Sequence, residues 1–252
     1  MPASAAPTTL RAILDDQPRF HVDGNGEPRS WQASDKVLHF IDEHVEPGAN
    51  TLETGEGVST VLFALRGCNH VAVSPNSAAL ERIRAYCAEH AVPLERVRFV
   101  EAPSDRALPG LELPELDLVL VDGGHGFPMP FIDWHYIAPH LRAGGYLVVD
   151  DTQLWTGRVL KEFLLAEPDW ELVEDFAPRA TVFRKVRAAE PGKEWTDQPY
   201  VARRSRRGVP GKVGTSAMLL RQGQYRTLAK MAGRVLRYQR SRLAAGRRGD
   251  GS

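Results

Sequence analysis

Apolar positions along the middle of this chain come in two alternating textures. Short strand-like runs occupy residues 50–53, 70–74, 96–100, 116–121 and 145–150. Segments with helical spacing separate them, at 59–66, 77–90, near Asp105 and at 131–141. Strands alternating with helices predict parallel β-α-β units, with helices on both faces of one sheet. A further helix over 158–165 precedes two more strands, 170–176 and 180–186. The link between those two, Ala177-Pro178-Arg179, is too short for a parallel crossover, so the pair is expected to be antiparallel. The fold class is α/β: five parallel β-α units closed by a terminal hairpin.

Ahead of this body, residues 9–16 form a short amphipathic stretch and a Gly/Pro/Asn-containing loop covers 21–30. Ser34 is placed to cap a helix carrying Val37, Leu38, Ile41 and Val45 at helical spacing. Pro47-Gly48 closes it. Beyond Ala189 the texture changes: Pro, Gly, Arg and Ser dominate to about Gly214 and read as a linker. Residues 225–243 then read as a basic amphipathic helix, with Leu228, Met231, Ala232, Val235 and Leu236 on one side and an i, i+4 row of Arg226, Lys230 and Arg234. The organisation expected is an N-terminal helical segment, 1–48, a body, 49–187, and a basic linker and tail, 188–252.

Charge sharpens that division. The 252 residues balance 32 Lys and Arg against 32 Asp and Glu. Residues 203–252, however, carry 14 Lys and Arg against one acid, Asp250. An acidic body with a basic tail is a distribution that meets nucleic-acid phosphates, an anionic membrane or the body itself, or that makes a disordered solvating extension, the commonest outcome for charge-rich ends. No apolar run approaches the roughly 18 residues of a membrane span, and the N-terminus lacks the apolar core of a secretory signal. The two cysteines, Cys68 and Cys87, have no metal-ligand spacing. A reduced, cytoplasmic setting is expected.

The candidate chemistry lies where strands end, because ligands of open α/β sheets bind beyond the C-terminal ends of the strands. After the first strand comes TLETGEGVST, 51–60, with Glu53, Gly55, Gly57, Ser59 and Thr60. Glycines let the backbone turn tightly and approach a ligand, and the helix that follows begins with unpaired N–H groups. Glu53 would repel a phosphate and attract a cation, which suits a cofactor bearing an ammonium, such as S-adenosylmethionine (SAM). The dinucleotide fingerprint is not met, since Thr60 stands where its third glycine belongs. Later strands end at Ser74, at Ser104 and Asp105, at Asp122-Gly123-Gly124-His125, and at Asp150-Asp151. Clustered carboxylates suit Mg²⁺, which could acidify a substrate hydroxyl. His125 could accept that proton, its ordinary pKa of about 6.5 fitting a base at neutral pH.

On these residues, 49–187 resembles the class I SAM-dependent methyltransferases, whose seven-stranded Rossmann-like sheet ends in an antiparallel hairpin. DLVLVDGGH and GGYLVVDDTQLWTG resemble the metal-dependent catechol and caffeoyl-CoA O-methyltransferases, and the double aspartate also resembles the macrocin-type sugar O-methyltransferases. The resemblance implies SAM as cofactor, with Mg²⁺ held by Asp122, Asp150 and Asp151. It implies Glu53 at the methionine amine, Gly55 and Gly57 at the methionyl portion, Ser59 and Thr60 at its carboxylate, and Ser104 at the adenine. Asp122 and His125 would be the catalytic pair, His125 standing where the catechol subgroup has lysine. Many relatives end the second strand with an acid on the ribose; here Ser74 stands there and could make one of those bonds. The N-terminal helices would cover the cofactor as a lid, and surfaces of this fold often form dimers.

The activity expected is O-methylation of a hydroxylated small molecule, a sugar or natural product. A second expectation is a nucleic-acid-associated methyltransferase, or a binding protein, anchored through residues 203–252. An NAD oxidoreductase ranks third, for lack of the third glycine, of a Tyr-x-x-x-Lys pair and of an acid ending the second strand. Trp155 is expected at the substrate pocket and Trp134 in the core.

Overall fold

The computed structural model describes residues 9–188 and 193–206, together with positions 220, 221, 223, 225 and 229. It comprises two compact units, 1–194 and 195–252.

The first unit opens with helix α1 (Leu10–Asp16), capped by the Thr9 hydroxyl, which accepts from the Ala12 N–H. A two-stranded ribbon follows, β1 (His21–Val22) against β2 (Pro28–Arg29), where the sequence indicated only a loop. Helix α2 (Asp35–His44) starts as expected at Ser34, whose hydroxyl accepts from Val37 N–H. Both helices turn their apolar stripes inward: Leu10, Ile13, Val37, Leu38 and Ile41 join the core cluster that includes Val61, Leu62 and Phe63.

The sheet is built from β3 (Asn50–Thr54), β4 (Asn69–Val73), β5 (Val97–Val100), β6 (Leu116–Val121), β7 (Leu141–Val149), β8 (Trp170–Phe176) and β9 (Ala180–Lys185). Their order is β5-β4-β3-β6-β7-β9-β8. The pairs from β5 to β7 are parallel, and β9 is antiparallel to both β7 and β8. Helices α3 (Val58–Leu65), α4 (Ser77–Glu89), α5 (Ser104–Ala107), α6 (Met129–Ile137) and α7 (Trp155–Leu164) make the connections. The central strands β3 and β6 are buried over nearly their whole length; β6 reads accordingly as a largely apolar run, while β3 buries Thr51, Glu53 and Thr54 beside Leu52. The edge strand β8 exposes Glu171 and Glu174, charges that blunt an open edge.

Two element boundaries move. The helix expected over 131–141 ends at Ile137, and a 3₁₀ turn, Ala138–His140, follows it, with Pro139 inside. Strand β7 then begins early, at Leu141. In the second unit, Pro199–Arg206 forms a helix, α8, within the stretch read as linker. Proline suits a first helical turn because its missing N–H would have no partner there. The tail helix expected over 225–243 lies, apart from positions 225 and 229, outside the described residues.

The order of the sheet reverses at β3, which has β4 on one side and β6 on the other. Such a switch point opens a crevice beyond the strand ends. Register makes the crevice floor a straight row. Thr54 pairs with both Val73 and Val121, Val73 with Val100, and Val121 with Val149. The next residues, Gly55, Ser74, Asp122 and Asp150, therefore stand side by side. Each still donates a ladder hydrogen bond, to Val73, Val100, Thr54 and Val121 respectively, all at 3.0 Å.

Candidate active site

A cleft of about 670 Å³ lies over that row. Its floor includes Gly55, Ser74, Ser104, Asp122, His125 and Asp151, and His21, Trp31 and Gln32 of the N-terminal segment face it from the other side. The ribbon and the residues after it thus reach the cleft, while α1 and α2 pack into the core.

Two glycines permit the close approaches that shape this floor. Gly55 has φ +100°, and a Cβ there would fall 2.4 Å from the Asp122 carbonyl oxygen. Gly157 in α7 lets the start of that helix sit against the turn before it, where a Cβ would come within 2.7 Å of the Asp151 carbonyl oxygen. No larger residue fits either place without moving backbone.

Glu53, Ser59 and Thr60, expected at the ligand, face inward instead. Glu53 is 1% exposed. Its carboxylate accepts from Ser59 Oγ at 2.5 Å and from Thr60 Oγ1, and stands 3.1 Å from His70 Nε2. His70 Nδ1 lies 2.9 Å from Thr51 Oγ1, and its ring stacks on Phe63 at 4.3 Å. Thr60 Oγ1 also accepts from the Gly57 N–H, tying the glycine turn to the strand. The polar cluster is closed because a buried carboxylate needs every available donor. It supports the loop from behind the cleft wall, and Gly57 lies with it off the cleft surface. Glu56 lines the cleft in place of Glu53 and stands 3.3 Å from His21 Nε2.

The acidic end of the cleft is a dense charge cluster. Asp122, His125 and Asp151 offer ligand atoms that lie within 4.8 Å of one another. His125 Nε2 is 3.0 Å from Asp151 Oδ2, and Gln153 Nε2 donates to Asp151 Oδ1 at 2.6 Å. Asp151 holds a left-handed backbone, φ 50°, which turns its side chain into the cleft while Asp150 points below. Asp150 is 4% exposed and neither carboxylate oxygen has a hydrogen-bond partner. Burial, then the charges of Asp150, Asp151 and Glu53, push the Asp122 carboxyl well above the ordinary carboxylate range, with Arg179 opposing. Burial likewise raises Asp150, against the Asp151 N–H, Arg179 and His125.

This donor set fits a hard divalent cation. Carboxylate oxygens are the ligands Mg²⁺ takes, and the two unpartnered oxygens of Asp150, with the crowding that raises Asp122, are what a cation would relieve. The set differs from the three aspartates expected: His125 joins Asp122 and Asp151, and Asp150 sits one layer deeper.

Several residues of the site escaped the sequence. Arg179, in the turn between β8 and β9, lines the cleft and places its guanidinium 3.5 Å from Asp151 Oδ1 and 3.7 Å from Asp150 Oδ2. The signal was the antiparallel pairing itself: Val149 faces Thr181, so the turn must lie beside Asp150. Asp133 on α6 is wholly buried behind Gly123, and neither of its oxygens has a hydrogen-bond partner. Burial raises its carboxyl, with the Ser104 and Thr54 hydroxyls opposing. Trp134 packs on Phe163, rings 5.0 Å apart, as expected of a core residue. Trp155 is 58% exposed and stands beside Phe127, 6.0 Å away, outside the cleft lining.

Comparison with known proteins agrees with this geometry. Residues 52–152, which span the glycine turn and the double aspartate, match a family of methyltransferase domains. Among solved structures, a Corynebacterium glutamicum protein superposes with a TM-score of 0.57 at 14% identity, over 75% of this chain and 94% of its own. The cofactor-bound protein Rv0187 from MTB gives 0.56 at 18%, over 71% and 90%. The O-methyltransferase NovP gives 0.53 at 16%, over 69% and 88%. No curated protein sequence matches the chain. The sheet order and the glycine turn at the switch point are those of the class I methyltransferase fold, and the matched domain lies within it. The match covers the methyltransferase-domain core of the chain, and the solved structures share its fold. No helix among the described residues is long and apolar enough to cross a membrane.

Proposed function

We propose that the enzyme O-methylates a hydroxylated small molecule, a sugar or natural product, with Mg²⁺ at the acidic cluster. The observation that carries this reading is the convergence of Asp122, His125 and Asp151 within 4.8 Å at the cleft. Asp122 and Asp151 would hold the ion, with Asp150 the nearest further carboxylate. When bound, the ion lowers the proton affinity of a coordinated hydroxyl, and SAM supplies the methyl group.

The chain's own residues orient and deprotonate. Ser74 and Ser104 offer hydroxyls on the cleft wall, and the first of these also accepts from the Asn76 N–H, which fixes its direction. His125 directs Nε2–H at Asp151 Oδ2. This leaves Nδ1 as the acceptor, and Nδ1 takes the proton of the attacking hydroxyl. Trp31 and His21, rings 5.7 Å apart, lie over the cleft and limit water there. Two buried free cysteines fit the reducing cytoplasm.

The test is SAM turnover by the purified protein against a panel of hydroxylated sugars and aromatic natural products, with Mg²⁺ and with chelator. Methyl transfer to hydroxyl oxygen that chelator suppresses supports the reading. Saturable SAM binding with transfer to nitrogen or carbon alone would overturn it. A second reading rests on the 14 Lys and Arg against one acid in residues 203–252: a methyltransferase, or a binding protein that kept the fold, anchored on nucleic acid. It requires retention on RNA or DNA that falls steeply with salt and disappears when 203–252 are removed.

A further inference from the structure

We propose that Arg179 is the resident cation of the acidic cluster, paired with Asp150 and Asp151 until a divalent ion takes its place, so that it sets how weakly the site holds that ion. This rests on the metal-assisted reading above and goes beyond it, by giving one residue of this chain control over occupancy.

The root of the side chain is fixed to the cluster. Arg179 carbonyl oxygen accepts from the Thr152 N–H at 2.7 Å, and Pro178 carbonyl oxygen accepts from Thr152 Oγ1 at 3.2 Å. The turn is thereby stitched to the residue that follows Asp151. The tip is held differently. Its approaches of 3.5 Å to Asp151 and 3.7 Å to Asp150 are ion-pair distances and longer than charge-assisted hydrogen bonds. Asp151 Oδ1 already has a short donor in Gln153. No donor meets strict hydrogen-bond geometry at Asp150, although the Asp151 N–H lies close enough to favour its charge, and its side chain is 1% exposed. Arg179 therefore supplies charge rather than directed bonds, and for Asp150 it is the cation that faces the carboxylate.

Its own side chain is 47% exposed. Half in solvent and loosely bonded, the guanidinium can swing out into water, leaving Asp150 and Asp151 to the incoming ion. It must do so if an ion binds. A divalent cation among Asp122, His125 and Asp151 would share Asp151 with the guanidinium, and like charges a few ångströms apart repel strongly even at a partly solvated site. The exposure moderates the effect, so about tenfold in ion affinity is the size expected from removing this charge.

Titration calorimetry of the full-length protein with Mn²⁺ alone, without SAM or substrate, tests this. Arg179→Met is expected to bind Mn²⁺ about tenfold more tightly than the unaltered protein, and Arg179→Lys, which keeps the charge, within about threefold of it. Arg179→Gln repeats the measurement with a polar tip, should the methionine variant fail to fold. Metal-free Arg179→Met should also unfold at lower temperature and regain stability as Mn²⁺ is added. Equal or weaker Mn²⁺ binding by both neutral variants overturns the role of Arg179 and leaves the metal reading standing. No Mn²⁺ binding by any of the proteins overturns both.

Discussion

A Cβ on Gly55 would lie 2.4 Å from the carbonyl oxygen of Asp122. The glycine turn and the first aspartate of the acidic cluster are thus in backbone contact, and the two halves of the site share one constraint. Neither can shift without the other. Gly55→Ala must relieve both this contact and the φ of +100°. It is expected to destabilise the protein by about 1–3 kcal/mol and to weaken SAM binding at least as much. Thermal unfolding and SAM titration of the same preparation check this. An alanine variant with unaltered SAM affinity would show that the turn does not shape the cofactor site.

The buried group behind that turn makes a separate prediction. Glu53 is enclosed by Ser59, Thr60 and His70, and removing His70 leaves a carboxylate 1% exposed short of a partner. His70→Ala also removes the ring stacked on Phe63. The expected loss is about 3–5 kcal/mol, read as a lower urea midpoint with an unchanged slope. His70 lies off the cleft, so the folded fraction should still bind SAM.

Much of this architecture was legible in the chain, and the particular residues show why. The strand β6 announced itself because both faces are buried and its run is largely apolar, and β3 by the glycine turn that follows it. Gly55 was legible because a turn of that tightness admits little else. What a one-dimensional pattern does not carry is register. Glu53 read as a ligand-facing carboxylate, yet Thr51 pairs with His70 across the sheet, and that neighbour, with two hydroxyls from the next helix, turns the carboxylate inward. Arg179 read only as part of a short connection. Its place beside Asp150 follows from the antiparallel return of β9 against β7, which composition does not encode. The helix α8 was hidden by the Arg- and Pro-rich texture around it.

Asp133 ties stability to pH. It is wholly buried with no donor in strict hydrogen-bond geometry, and burial raises its carboxyl above the ordinary value against the nearby Ser104 and Thr54 hydroxyls. The folded state therefore binds this proton more readily than the unfolded state does. Stability from this group is complete below the unfolded pKa and is lost as pH rises through the folded one. Asp133→Asn mimics the protonated form permanently. It is expected to be more stable than the unaltered protein at pH 7, by about 1–3 kcal/mol, with the difference closing as pH falls toward 4. Denaturant unfolding at several pH values measures it, and a difference that does not change with pH would assign the group another role.

His125 and Asp151 carry the sharpest test of the chemistry, because their 3.0 Å contact can be interrupted at either end. If Asp151 Oδ2 fixes the imidazole so that Nδ1 accepts the substrate proton, His125→Gln should lower turnover by about 10²–10⁴-fold. SAM affinity should stay within about twofold of the original, since only the base has gone. The split is the decisive readout: turnover falls while SAM affinity holds, and equal losses in both would take the base role from His125. Asp151→Asn should damage turnover as well, but with a second consequence that His125→Gln does not share to the same degree, a loss of Mg²⁺ dependence as one carboxylate leaves the cluster. Chelator should therefore suppress the unaltered enzyme strongly and Asp151→Asn little. Equal suppression of both would mean that the ion, if one binds, does so away from Asp151, and His125 would then act as a base held in place by a carboxylate that coordinates nothing.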